Sequence, residues 1–469
     1  MKRITTRMFF RTAFLFLLAI IPACGGSGGG GSSPPGEIVY ALAEDDTNAN
    51  GSILENAISP SGQLYPGAPN PISTGGTYPV VFAIDKNTSF AFALNSNSQN
   101  DSSAKPGGIQ PYNTSTAQSS TGMQAIGNPV PTGSNPTSMA IDPGGNYLVV
   151  ADHGNGTSGG DVEVFKIGSN GALSGPTPVT LSSSSCPNPD KIVFPPSGST
   201  GSSNDTFYVV CSSPELIANT SPPPTALYSC PISGTCTKIT LSLPSGTSNA
   251  ISNMEFSSSG TAFLPGETYT SSSSSYNAFL ITCTGSPLSC QTATSITPLL
   301  GTAPAGDFAI DNTTQTAFIG NYSTNSGGSL TNQGIFFTCL SPYSSCTHTH
   351  YDSPSAGAPT FLATSPNQSN LYIVSTPDPL PTTTSSNFKT STGYVYVCSL
   401  PSGSSCTQTG TTADYPVGMT FDPAGKFAFV PTWSGTVSIF QVGSNGQLTS
   451  AASPTINISG NMVLQVVVP

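Results

Sequence analysis

The feature that most limits the folds open to this 469-residue chain is a repeated unit of about 55 residues. The segments Met139–Ala151 and Met419–Pro431 each contain an apolar strand, an Asp-Pro turn with a glycine, and a second apolar strand. Downstream of them, Gly160–Leu173 and Gly435–Leu448 share an alternating strand followed by Gly-Ser-Asn-Gly. No helical periodicity appears after residue 36. The repeat therefore predicts an all-β chain built from four-stranded units.

The number of repeats and the two chain ends predict a closed ring. Weaker copies of the unit begin near Val80, Asp190, Ile251, Asp307 and Thr360. Glu37–Leu42 resembles a second strand without its first strand, and Met462–Val468 can supply that strand from the other end of the chain. Such a closure protects the sheet edges. We therefore predict a β-propeller over residues 37–469 with eight blades, or seven if one weak copy is an insertion.

The repeat motif resembles a known family. Asp-Pro-x-Gly, an apolar strand and then Gly-x-Val-x-Val/Ile-Phe are similar to the lactonase-type β-propellers, which include 6-phosphogluconolactonase-like proteins and resemble YVTN-type surface propellers. The resemblance is most specific in residues 136–173 and 416–448. In four units a cysteine pair replaces the Ser-Asn-Gly hairpin. The resemblance implies a propeller and offers lactone hydrolysis as one candidate activity.

The amino terminus predicts export. Met1–Arg11 carries four basic side chains, and the apolar run Ala13–Ile21 is too short to span a membrane as a helix. Residues 1–23 therefore read as a signal peptide. Cys24 lies where bacterial lipoproteins carry their lipidated cysteine, which this segment resembles, and residues 24–36 read as a flexible tether. We expect a lipid anchor at Cys24 that holds the protein in the cell envelope, with the outer membrane favoured. The alternative is an ordinary secretory signal cut near Ala23.

The other ten cysteines predict disulfides. Eight form close pairs around turns, and the remaining two would form a fifth bridge. Facing positions of a hairpin lie within disulfide reach, and an exported protein meets an oxidising compartment. The predicted pairs are Cys230–Cys236, Cys283–Cys290, Cys339–Cys346, Cys398–Cys406 and Cys186–Cys211. Zinc is the competing interpretation, but short two-residue cysteine spacings are missing.

The charge distribution excludes whole classes of partner. Beyond residue 23 the chain has seven lysines, no arginine and all 22 acidic residues. Nucleic-acid binding depends on basic side chains that neutralise phosphates, so we expect no nucleic-acid partner. Without an arginine to hold a phosphate in two hydrogen bonds, phosphorylated substrates are also disfavoured.

Candidate site residues cluster in the loops that follow each second strand, which vary most and should open on one face. His153, at the end of a second strand beside Asp152, is the best acid–base candidate for lactone opening. Asn321, Tyr322 and Trp433 lie at equivalent strand ends and could bind a sugar or peptide. His348 and His350 share one strand face, where they could bind a metal, although an exposed pair without that role is the simpler interpretation. We expect no cofactor and no metal site. Four aspartates in the turns between first and second strands are predicted turn formers: Asp85, Asp142, Asp311 and Asp422.

A ring of carboxylates could instead hold Ca²⁺ at the mouth of the channel. Its members would be the acidic residues that recur at the starts of the variable loops: Glu44, Asp45, Asp46, Asp101, Asp152, Glu215, Glu267 and Asp378. The alternative is an acidic rim that keeps the protein soluble.

Three functions remain open from the sequence. The leading hypothesis is a non-catalytic binding module, anchored to a membrane only by its lipid, for a protein, glycan or small-molecule ligand. The second is a lactonase-like hydrolase of a non-phosphorylated lactone, and the third is a structural surface protein. Whether the chain is an enzyme therefore stays undecided, with the binding module favoured.

Overall fold

A computed structural model gives the architecture, an all-β ring of eight sheets. It describes residues 37–45, 47–67, 70–85, 87, 89–96, 106–114, 122–154, 160–181, 186–196, 206–211, 225–246, 248–270, 275–296, 305–321, 334–351, 358–376, 392–400, 406–413, 415–458 and 461–469. Each sheet is antiparallel and has at least four strands, so it forms one blade of a propeller. The predicted all-β propeller with eight blades is confirmed.

The strands fall into blades as follows. Blade 8 contains β1 (Glu37–Asp45), β2 (Asn50–Ile58), β3 (Leu64–Pro66) and β4 (Ile72–Thr77). Blade 1 contains β5 (Pro79–Ile84), β6 (Phe90–Asn95), β7 (Pro106–Asn113), β8 (Gln124–Ala125) and β9 (Val130–Ser134). Blade 2 contains β10 (Pro136–Ile141), β11 (Tyr147–Asp152), β12 (Asp161–Ile167) and β13 (Leu173–Val179). Blade 3 contains β14 (Pro189–Val193), β15 (Thr206–Cys211), β16 (Ala226–Pro231) and β17 (Thr237–Ile239).

The second half of the ring follows the same plan. Blade 4 contains β18 (Ser248–Ile251), β19 (Glu255–Phe256), β20 (Ala262–Thr270), β21 (Ser275–Thr284), β22 (Ser289–Cys290) and β23 (Thr294–Ile296). Blade 5 contains β24 (Ala305–Asp311), β25 (Thr316–Asn321), β26 (Ile335–Cys339) and β27 (Cys346–His350). Blade 6 contains β28 (Ala358–Thr364), β29 (Asn370–Thr376), β30 (Gly393–Ser399) and β31 (Cys406–Thr412). Blade 7 contains β32 (Thr420–Phe421), β33 (Phe427–Pro431), β34 (Thr436–Val442) and β35 (Leu448–Asn457), and β36 (Asn461–Val467) completes blade 8.

The two ends of the described chain close the ring. β36 is the innermost strand of blade 8 and pairs antiparallel with β1, for example Ala41 with Val466. Met462 and Leu464 of β36 join the core between blades 8 and 1, whereas Val463 and Val466 join the core between blades 7 and 8. The predicted closure by strands from both ends is confirmed.

The hydrophobic core lies between neighbouring blades. Alternate side chains of each strand face opposite neighbours, as the two-residue period of a strand requires. In β11, for example, Leu148 and Val150 pack toward blade 1, and Val149 and Ala151 pack toward blade 3. The repeat therefore buries both faces of nearly every central strand, which explains why these strands read as unbroken apolar runs.

Covalent and polar contacts fix the hairpins. All five predicted disulfides are present, and four of them close the hairpin between the third and fourth strands of blades 3 to 6. At the turn between the first and second strands, Asp85 Oδ1 accepts hydrogen bonds from the backbone N–H groups of Ser89 and Phe90. Asp142, Asp311 and Asp422 accept comparable bonds in their turns. These four aspartates are turn formers, as predicted.

No helix long and apolar enough to cross a membrane occurs in the described part of the chain.

Candidate functional site

Three consecutive inner strands place charged side chains along one stretch of the ring's inner wall. Lys191 lies on β14 of blade 3, Glu255 on β19 of blade 4 and Asp307 on β24 of blade 5. The Lys191 ammonium donates a hydrogen bond to the Asn253 side-chain oxygen. Asp307 Oδ2 accepts a hydrogen bond from the Leu362 backbone N–H at 2.7 Å, which ties blade 5 to blade 6.

Burial dominates the electrostatics of this group. It lowers the pKa of Lys191, although the carboxylates of Glu255, Asp190 and Asp307 oppose that change. Burial also raises the pKa of Glu255 to about 8 and that of Asp307 to about 7. A small change in pH near neutrality can therefore change the protonation, and so the net charge, of the cluster.

A histidine and an aspartate meet where blade 2 contacts blade 3. His153 follows β11 directly, and its Nε2 lies 3.7 Å from Asp190 Oδ1 on β14. Both side chains keep a little exposed surface, 13% for His153 and 14% for Asp190. Burial lowers the pKa of His153 to about 4 and raises the pKa of Asp190 to about 7. At neutral pH the imidazole is therefore uncharged beside a carboxyl group that is half ionised.

Contacts between backbone and side chains position that pair. The His153 backbone N–H donates to the Asn135 carbonyl at 3.0 Å, which fixes the end of β11 against the start of β10. Thr137 Oγ1 donates to the Asp190 carbonyl at 3.1 Å and so joins β10 to β14. The two side chains are thus held by three strands of two blades.

Asp152 has different neighbours from His153. It pairs with Asp161 across β11 and β12 and has no exposed surface. Its side chain faces Gly133 of β9, because a Cβ added at Gly133 would lie 2.9 Å from Asp152 Cγ. Burial, Glu163 and Asp161 together raise the pKa of Asp152 to about 9. Asp152 therefore belongs to an interface between blades 1 and 2, whereas His153 turns toward blade 3.

A small pocket with room for about one water molecule continues the polar wall between blades 5 and 6. Glu255 and Asp307 line its polar side, and Phe308, Phe361 and Leu362 are among its apolar residues.

The other predicted site residues are placed as follows. Trp433 is partly buried in the connection between β33 and β34 and packs against the core of blade 8. Asn321 ends β25, and its side chain, Tyr322 and Cys24 lie outside the described residues. Of the predicted calcium ring, Asp46, Asp101, Glu215 and Asp378 also lie outside them.

The described members of that ring come from three blades: Glu44 and Asp45 from blade 8, Asp152 from blade 2 and Glu267 from blade 4. Glu44 is buried, and Asp45 accepts hydrogen bonds from Thr47. Within the described ranges, no group of three or more histidine, cysteine or acidic side chains is arranged to hold a metal ion.

Sequence analysis missed Asp190, Lys191, Glu255 and Asp307 as site residues. Asp190 and Asp307 mark the starts of repeat copies, where the apolar pattern drew attention to the strand and not to its polar residue. The available signal was a charged side chain within a strand that is otherwise apolar on both faces, which is costly unless it is paired or used.

Comparison with known families supports the interpretation of the motif. The family model described as "Lactonase, 7-bladed beta-propeller" matches residues 34–210. The resemblance to lactonase-type propellers is confirmed. The matched region contains His153, Asp190 and Lys191 but ends before Glu255 and Asp307. The chain has eight blades where the family description has seven. No curated protein matches the sequence.

Solved structures with TM-scores of 0.50 and above support the fold. The dihydro-heme d1 dehydrogenase NirN is 9% identical with a TM-score of 0.53, and the match covers 93% of this chain and 76% of that one. Sqt1 of Chaetomium thermophilum is 13% identical with a TM-score of 0.50, covering 82% and 86%. The Pseudomonas aeruginosa periplasmic gluconolactonase PpgL is 13% identical with a TM-score of 0.49, covering 92% and 99%. Identities this low concern the fold alone.

The five disulfides, in turn, indicate a protein that works outside the cytoplasm.

Proposed function

We propose that this lactonase-type propeller hydrolyses a non-phosphorylated lactone on the inner wall formed by blades 2 to 5. The observation that carries the proposal is the His153–Asp190 pair, because it holds a carboxyl group with a pKa of about 7 against an uncharged imidazole. The family description of the matched region, which includes both residues, supports the same reaction.

Asp190 is the general base in this proposal. Its pKa of about 7 lies near the operating pH, where a general base is most efficient. Asp190 Oδ1 and His153 Nε2 lie 3.7 Å apart, which exceeds a hydrogen bond, and both atoms are buried. The attacking water therefore reaches Asp190 at the exposed 14% of its side chain, and the neutral imidazole positions the carboxyl group.

The reaction balances with these residues. The water oxygen bonds to the lactone carbonyl carbon while its proton moves to Asp190, which leaves a tetrahedral oxyanion. Lys191 of the same strand is the proposed cation for that oxyanion, because the carboxylates of Glu255, Asp190 and Asp307 favour its charged form against burial. The bond to the ring oxygen then breaks, and the ring oxygen takes the proton back from Asp190. The product is an open hydroxy acid.

The chain's charge favours an uncharged substrate. No arginine follows residue 11, and the formal net charge is −11. An acidic protein without an arginine fork is poorly suited to a phosphorylated sugar lactone. It also repels the carboxylate product, which favours product release.

The site of action is part of the proposal. We propose that the signal segment exports the protein and that a lipid on Cys24 anchors it in the cell envelope, with the propeller free of other membrane contact. Mass spectrometry of the mature amino terminus tests this step. An unmodified terminus created by cleavage near Ala23 would reject the anchor and leave the hydrolase proposal intact.

Hydrolysis is tested on the purified protein with intact disulfides, by acid release from a panel of neutral lactones. We expect Asp190→Asn and Lys191→Met to lose most turnover while the protein stays folded. The matched controls are Asp45→Asn and Lys238→Met, at exposed positions of other strands, which should keep it. If every lactone is bound but none is hydrolysed, the enzyme proposal is wrong and the non-catalytic binding module replaces it.

A further inference from the structure

Two of the three histidines lie together on the outer edge of blade 5. His348 and His350 belong to β27, the outermost strand of that blade, and both side chains are exposed. They face Phe337 and Ile335 of β26 in the antiparallel register. This edge is separate from the inner wall and from the proposed hydrolytic site.

The strand holds both imidazoles on one face. Residues two apart in a strand point the same way, and here the ring centroids are 5.8 Å apart with planes at 86°. The Cys339–Cys346 disulfide joins β26 and β27 at the opposite end of the pairing. The two rings therefore lie on a hairpin that a disulfide already constrains, so little backbone conformational entropy is lost when both rings bind one ion.

We propose that His348 and His350 form a surface site for one borderline divalent transition-metal ion. The site binds Cu²⁺ more tightly than Zn²⁺. Imidazole nitrogen suits copper, nickel and zinc, whereas calcium and magnesium prefer oxygen ligands. The order of the two ions follows the general order of stability for nitrogen ligands. The acidic chain favours a cation at its surface, and water completes the coordination.

The test is a Cu²⁺ titration of the metal-free full chain, in which binding is measured by calorimetry and the ligands are identified by electron paramagnetic resonance. We expect one saturable site per chain with nitrogen hyperfine structure, weaker binding of Zn²⁺, and no competition from Ca²⁺.

Variants identify the ligands. His348→Gln and His350→Gln should each lose the saturable site, whereas Thr347→Ala, an exposed change on the same strand, should keep it. Thermal unfolding of each variant checks that the fold is intact, which the exposed positions favour. Binding that persists in the double variant, or that Ca²⁺ displaces, would overturn the proposal. Loss of lactone hydrolysis has no bearing on this site, so the two proposals fail independently.

Discussion

Replacement of Asp152 by asparagine should stabilise the protein, although Asp152 is one of its most deeply buried polar residues. The structure contains its own precedent one blade away. Asn95 ends β6 as Asp152 ends β11, and each pairs with the first proline of its inner strand. The Asn95 amide donates to the Thr74 carbonyl and accepts from Thr74 Oγ1, both at 2.7 Å. A neutral amide is thus known to fit this position.

The expected gain follows from protonation. A free aspartate has a pKa of 3.8, whereas burial and the neighbouring carboxylates raise the pKa of Asp152 to about 9. The folded state therefore keeps a proton that the unfolded chain releases above about pH 4, so stability falls as the pH rises toward 9. The loss is about 1.4 kcal/mol per pH unit and reaches about 4 kcal/mol at pH 7. Asparagine has no proton to lose and removes this dependence.

Urea unfolding of both proteins at several pH values measures the effect. Asp152→Asn should equal the unchanged protein near pH 4 and exceed it by a growing margin up to pH 8. Asp45→Asn is the matched control. Hydrogen bonds from Thr47 lower the pKa of this aspartate, so this variant should lose stability relative to the unchanged protein as the pH rises. A difference that stays constant with pH, or a loss of stability at pH 8, would refute the reasoning.

Three further outcomes are expected. Replacing Cys186 and Cys211 by serine opens a loop with a sequence separation of 25 residues and should lower the free energy of unfolding by about 3 kcal/mol, measured by urea unfolding and contradicted by an unchanged midpoint. Deleting residues 461–469 removes β36 with its buried aliphatic side chains, each contributing about 1.5–3 kcal/mol, and should abolish cooperative thermal unfolding. A melt like that of the intact chain would contradict the proposed role of the closure. Hydrolysis should rise with pH through about 7, because Asp190 acts only after it loses its proton, and a flat kcat/KM profile would exclude Asp190 as the base.

Most of the fold could be predicted because it repeats. Each copy of the motif specifies one blade, and the unpaired strand Glu37–Leu42 requires a partner that only the last strand can provide. Four disulfides were predictable for a related reason, since a cysteine pair around a turn faces itself across the hairpin, and the fifth joins the two cysteines that remain. The blade count followed from these local features, whereas the family description alone would have given seven.

The site could be predicted only in part, because its residues come from four blades. His153 was identified from its position at the end of a strand, but the carboxyl group that lies beside its imidazole is that of Asp190 and not that of the preceding residue, Asp152. Successive residues of a strand point to opposite sides, so Asp152 turns toward Gly133 and His153 toward Asp190. Which inner strands are adjacent depends on the ring, and no local pattern carries that information.

The two buried aspartates make opposite demands on pH. Asp190 must ionise for the proposed hydrolysis, so activity rises through about pH 7, but its raised pKa also lowers the stability of the folded state as the pH rises from about 4 to about 7. Asp152 adds to that loss up to about pH 9, and it does so from an interface that contains no reacting group. If the proposal is right, the alkaline limit of activity is therefore set by the stability of blades 1 and 2 and not by the chemistry at blade 3. The two limits are separable, because unfolding lowers the amount of folded protein, whereas titration of Asp190 changes kcat/KM in a protein that is still folded.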